Sequence, residues 1–142
     1  MGTPVLPISD IANLIPQKAP FEMVDTLLEF SKTSVTSSFT IQEENIFVVN
    51  GKFTESGLVE NMAQTVALHT GFSYFVAGKP APTGYIGSIK SVEVFKLPDT
   101  GKTLNTIATI LHELMGVTMV HVVVILDGIE IARGEMKTVI AQ

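Results

Sequence analysis

Two hydrophobic periods divide the chain. Between residues 56 and 80, in "SGLVENMAQTVALHTGFSYFVAGKP", Leu58, Met62, Val66 and Phe72 recur at helical spacing. Val59, Ala63, Phe75 and Val76 widen the stripe, and Glu60 is nearly the only charge. Ser56 can cap such a helix and Gly78 with Pro80 can end it. A helix apolar on most sides predicts burial rather than a place on the surface. After it the period switches to two. Tyr85 to Leu97, Lys102 to Leu114, Val117 to Leu126 and Ile129 to Ile140 read as four long strands. Asp99-Thr100-Gly101, Met115-Gly116 and Asp127-Gly128 are read as hairpin turns between them.

The first third of the chain is less regular. Ser9 or Asp10 can cap at most a short helix that stops at Leu14, ahead of Pro16. Phe21 to Phe30 and Ser34 to Gln42 read as strands joined by Ser31-Lys32-Thr33, and Asn50-Gly51 marks a turn. One buried helix needs apolar cover on nearly all sides, and a single curved antiparallel sheet supplies it. The expectation is one α+β domain over residues 1–142, a long central helix wrapped by a curved antiparallel sheet.

Composition narrows the partners. The net charge is −5, no run of Lys or Arg exceeds one residue and Trp is absent, so nucleic acid is not an expected partner. Without cysteine there is no disulfide, thiolate metal site or cysteine nucleophile. No metal or cofactor is expected, since no histidine has metal-ligand spacing with a second ligand. No apolar run approaches the ~18 residues that span a bilayer. No basic segment followed by an apolar stretch opens the chain, so the cytoplasm is the expected location. Mean hydropathy of +0.39 is high, which points to a subunit interface.

Three segments then carry a resemblance: "LIPQKAPFEMVDTLLEF", "GKFTESGLVENMAQTVALHTG" and, more weakly, "GYIGSIKSVEVFKLPDTGKTL". Together they resemble the 3-hydroxyacyl-acyl carrier protein dehydratases of hot-dog fold. The short loop before the helix is most similar to the dehydratase-like proteins of aryl-polyene and flexirubin pigment pathways. The resemblance implies a hot-dog domain, paired edge to edge as a homodimer or with a homologue. It also implies an acyl thioester substrate on an acyl carrier protein or coenzyme A. Within it Glu60 takes the place of the family's acid, with Gln64 one turn later holding its rotamer. Gln17 stands where the family has a catalytic histidine, and an amide takes up no proton at neutral pH. The paired arrangement implies that Glu60 of one chain faces Gln17 of the other.

Dehydrating a 3-hydroxyacyl thioester requires a base, an acid for the leaving oxygen and donors for the thioester oxygen. Backbone N–H groups near Gly57 and Leu58 are candidate donors at a helix start, and Phe21 is a candidate for lining the substrate site. By itself the Glu60 position also suits an ordinary acid favoured by the helix dipole. His69 falls nearly opposite Glu60 on the helix and reads as a packed, hydrogen-bonded histidine. His112 lies near a turn, His121 interrupts a strand, and Asp25 reads as a sheet-end hydrogen-bond acceptor. Three functions stay open: a dehydratase weakened by the loss of its histidine, a catalytically silent acyl-binding or partner subunit, and a hot-dog acyl thioesterase.

Overall fold

The computed structural model describes residues 5–82 and 84–140. Strands β1 (Thr26–Phe30) and β2 (Ser34–Thr40) lead to a small hairpin, β3 (Val48–Val49) and β4 (Lys52–Phe53). Helix α1 (Glu55–Val76) follows, and then β5 (Gly84–Val94), β6 (Thr103–Leu114), β7 (Val117–Leu126) and β8 (Ile129–Ile140). The six long strands form one antiparallel sheet in the order β1-β2-β6-β7-β8-β5. Register shifts in the β1–β2, β5–β8, β6–β7 and β7–β8 pairs let it curve. Its inner face is read directly from β7, where Thr118, Val120, Val122, Val124 and Leu126 are buried. Those side chains alternate with partly exposed ones on the outer face. The helix lies in the hollow, with Leu58, Met62 and Leu68 fully buried. This is the hot-dog arrangement.

The two-residue turns behave as their sequences require. Asn50-Gly51, Met115-Gly116 and Asp127-Gly128 all have positive φ at both positions, the twist that suits tight hairpins. The Asp99-Thr100-Gly101 segment does not close a hairpin. β5 pairs with β8 along its length, so the chain crosses from one end of the sheet to β6. Hydrogen bonds from Thr100 N to Gly51 O (3.1 Å) and from Gly101 N to Ile41 O (2.7 Å) tie that crossing to the β3–β4 hairpin and the end of β2.

Three further boundaries differ from the sequence reading. Ser9 to Leu14 forms a turn, closed by Leu14 N on Ile11 O at 2.9 Å, and not a helix. The helix cap is Thr54, in extended conformation, whose side chain accepts from Gly57 N, rather than Ser56. The strand expected from Phe21 begins at Thr26, because helix side chains take the backbone groups that a neighbouring strand would otherwise bind.

Candidate active site

The loop that carries Gln17 is fastened to α1 at two points. At the first, the Leu14 carbonyl rests on Gly71, where a Cβ would come within 1.8 Å of the oxygen. Only a residue without a side chain allows that approach. At the second, Gln64 and Asn61 replace a strand partner for residues 21–23. Gln64 Oε1 accepts from Met23 N at 2.6 Å, and its Nε2 donates to Phe21 O at 2.9 Å. Asn61 Nδ2 donates to Met23 O at 2.8 Å. Between these points Lys18 Nζ donates to the carbonyls of Ala12 and Ile15, which holds the turn closed.

The same Gln64 amide donates to Glu60 Oε1 at 2.9 Å, one helical turn back. Gln64 is fully buried and Glu60 half-buried. Glu60 and Gln17 both border a cavity of about 610 Å³ that runs between the loop, α1 and the ends of β7 and β8. Among the described residues that line it, Glu60 is the only acid and none is a histidine. Gln17 is half-buried, and its Oε1 is buried without a hydrogen-bond partner among the described residues.

Gly57, Leu58 and Phe21 do not line this cavity. The Gly57 N–H points to Thr54 Oγ1 at 3.5 Å, and Leu58 N bonds Thr54 O at 3.0 Å. Both donors expected at the helix start are therefore engaged by the cap. Gly57 instead gives room to Phe53 and Phe47, each of which would lie under 3.0 Å from an added Cβ. The Phe21 side chain is 58% exposed, and only its carbonyl meets the site, through Gln64.

The remaining candidates have structural partners or lie elsewhere. His69 is buried, stacked on Phe30 with ring centroids 4.8 Å apart. Its Nε2 is 2.9 Å from the Ser31 carbonyl, which can only accept, so that nitrogen carries the proton. His112 is exposed, and His121 sits on the outer face opposite Glu135. Asp25 Oδ2 accepts from Thr40 N at 2.7 Å at the end of β2; burial pushes its carboxyl up, against the pull of that N–H. Among the described residues no group of three His, Cys, Asp or Glu could hold a metal, and no helix is long and apolar enough to cross a membrane.

Sequence reasoning missed Asn61 and Gly71. Each carries a visible signal, an amide and a glycine inside an otherwise apolar helix, but their partners, Met23 and Leu14, are distant in sequence.

The family described as ApeP-like, ApeP dehydratase, matches residues 9–139. No curated protein matches the chain in sequence. Among solved structures, the dehydratase heterocomplex ApeI:P from Xenorhabdus doucetiae superposes with a TM-score of 0.88 at 16% identity, covering 98% of this chain and 93% of that one. A Streptococcus mutans protein bound to acetyl CoA gives 0.66 at 17% identity, covering 91% and 97%. A hypothetical thioesterase from Streptococcus pneumoniae, solved with coenzyme A, gives 0.64 at 11%, covering 81% and 84%. At these identities the structures establish the shared fold.

Proposed function

The chain belongs to the ApeP-like dehydratase family, and from that premise we propose that it takes a 3-hydroxyacyl thioester into the Glu60 cavity as one subunit of a dehydratase heterocomplex. The thioester is carried on an acyl carrier protein or on coenzyme A. One observation carries the reading: Glu60 is held by Gln64 at a cavity whose loop side offers an amide, Gln17, in place of a proton acceptor.

The chemistry is an elimination. A base takes the α-proton, the α–β double bond forms, and the β C–O bond breaks as its oxygen leaves as water with a proton from an acid. Glu60 supplies proton transfer at one of these positions. Gln64 restricts the carboxyl's orientation while leaving its second oxygen free of the hydrogen bond to Gln64. Gln17 cannot exchange a proton, but its amide N–H can donate to the thioester oxygen as charge develops there. With Lys18 tied to the loop carbonyls and no second carboxyl or histidine among the lining residues, Glu60 alone has to act as base and acid in turn, which makes the isolated chain slow. A homologue that keeps a histidine at the position of Gln17 completes the pair.

Support for a partner comes from the surface. β5 forms one edge of the sheet and exposes Ile89, and the neighbouring β6–β7 turn exposes Leu114 and Met115 at 65% and 89%. Such an edge invites another strand. The X. doucetiae neighbour is itself a heterocomplex.

The test is enoyl thioester formation, followed by mass, for the chain alone and for the chain co-expressed with a histidine-bearing homologue. Slow turnover alone, restored in the complex and lost again with Glu60→Gln, is the expected pattern. Full activity of the isolated chain that survives Glu60→Gln would overturn it. Release of free thiol in place of enoyl product would make the protein a thioesterase.

A further inference from the structure

The cavity is not uniformly apolar. Three of its lining residues are threonines from three different elements: Thr70 on α1, Thr118 on β7 and Thr138 on β8. Thr118 and Thr138 are direct cross-strand partners, so their side chains leave the same face of the sheet. That face is the inner one, since Thr118 is followed at alternate positions by the buried Val120, Val122 and Val124. The alternation therefore replaces valine with threonine at the row that meets the cavity. Among the described residues no hydrogen bond engages the hydroxyl of any of the three, although Thr65 and Ser73 on the same helix both donate back to the residue four positions earlier. Thr118 is only 9% exposed. A hydroxyl at these cavity-lining positions offers a hydrogen bond that valine, of the same shape, does not.

The cluster lies at the far end of the cavity from Glu60. Gly134 of β8 lies against Met62, two residues from Glu60, and Thr138 is four residues further along the strand, roughly 13 Å at the strand rise. Thr70 is ten residues along the helix from Glu60, which at the α-helical rise is roughly 15 Å. The loop runs the same course in reverse, from Leu14 over Gly71 to the clamp at Gln64.

Resting on the function proposed above, we infer that the far end of the cavity recognises a hydrogen-bonding group on the acyl chain, a hydroxyl or a similarly small polar function, through Thr70, Thr118 and Thr138. The preferred substrate is then a polar-tailed acyl thioester about ten carbons long, to match the ~15 Å between Glu60 and the cluster. A plain alkyl chain of that length displaces water from the three threonines and gives their hydroxyls no hydrogen bond in return. The tail's polar group answers them and fixes how far the chain enters, and so which carbon faces Glu60.

Binding, rather than turnover, tests the inference. The probes are 3-hydroxyacyl thioesters of N-acetylcysteamine, matched in length, with and without a terminal hydroxyl, together with the coenzyme A thioester of the plain chain. Calorimetry on the wild-type chain should show the hydroxyl-tailed probe binding about 5- to 10-fold tighter, as one added hydrogen bond gives. Thr118→Val and Thr138→Val should each erase most of that preference, while Thr138→Ser, which keeps the hydroxyl, should retain it. Glu60→Gln should retain it too, which separates tail recognition from the proton chemistry. Equal binding of the two tails by wild type overturns the inference and leaves the proposed function standing. A loss on Thr→Val that is confined to the coenzyme A thioester also overturns it, because the threonines then read the carrier's amide arm and not the acyl tail. If no thioester binds, the proposed function falls and the inference with it.

Discussion

On the sheet side of α1, Asn61, Thr65 and His69 each meet a protein partner; around the cavity, Gln17, Thr70, Thr118 and Thr138 meet none among the described residues. The first group is closed. Asn61 bonds Met23 O and accepts from Thr106 Oγ1 at 2.6 Å. Thr65 gives its proton to Asn61 O, so Ser37 Oγ, 2.8 Å away, must be the donor to it. His69 gives its proton to Ser31 O. Such groups fix how the helix sits in the sheet, since a rotation or shift of α1 would break all of them together. The second group is open, and an open polar group in a cavity is available to a ligand. Glu60 stands between the two: one oxygen is tied to Gln64 and the cavity receives the rest. The difference predicts that changes in the closed group act on stability and changes in the open group act on binding and rate.

The largest effect should come from Glu60→Gln. The amide keeps the shape and can still accept from Gln64, so the melting temperature should hold. Dehydration by the complex should fall by ~10² to 10⁴, as for loss of a general acid or base. A retained rate would move Glu60 into the closed, structural group. Next is Asn61→Leu, of similar size but apolar, which strands the Met23 carbonyl and the Thr106 hydroxyl in the core. Denaturant unfolding should show a loss of ~3 kcal/mol, the cost of two buried groups without partners. A loss below about 1 kcal/mol would mean that the network on the sheet side does not hold the helix. Gly71→Ala should cost about 2 kcal/mol through overpacking, because the new methyl meets the Leu14 carbonyl. Limited proteolysis should then cut more readily between residues 11 and 18, where the loop has lost its seat.

Much of the framework could be read along the chain because its signals are local. β7 and β8 have the bounds that their alternation indicates, and each Asn-Gly, Met-Gly or Asp-Gly pair turns as expected. The Glu60–Gln64 contact follows from one helical turn. What could not be read depends on partners far away in sequence. β5 joins β8 and not β6, a choice made by the whole sheet. Residues 21–25 have the apolar content of a strand, but Gln64 and Asn61 take the backbone groups of Phe21 and Met23. Gly57 and Leu58 look like free donors until Thr54 is seen to cap them. The threonine pair becomes visible only once register sets Thr118 opposite Thr138.

The smallest effect, and the one that bears most directly on the open group, is Gln17→His. The position is built for a side chain that reaches the cavity: Lys18 closes the turn before it, and Gly71 and Gln64 hold the loop at either end. An imidazole there would titrate near neutrality, where the amide does not. The isolated chain should then form enoyl thioester faster than wild type, with a rate that rises with pH as the imidazole loses its proton. The gain should stay below about tenfold, since a base misplaced by ~1 Å loses about 10²-fold and the loop has been shaped around an amide. Substituting both Gln17→His and Glu60→Gln separates the contributions. If the new imidazole works with Glu60, the double variant loses the gain. If the gain survives without Glu60, the histidine acts alone and the carboxyl belongs with the structural residues. A fall in an already efficient wild-type rate would show that the Gln17 amide binds the thioester oxygen and cannot be replaced. In that case the unpaired Oε1 seen here belongs to a side chain whose N–H, not its oxygen, is the functional atom.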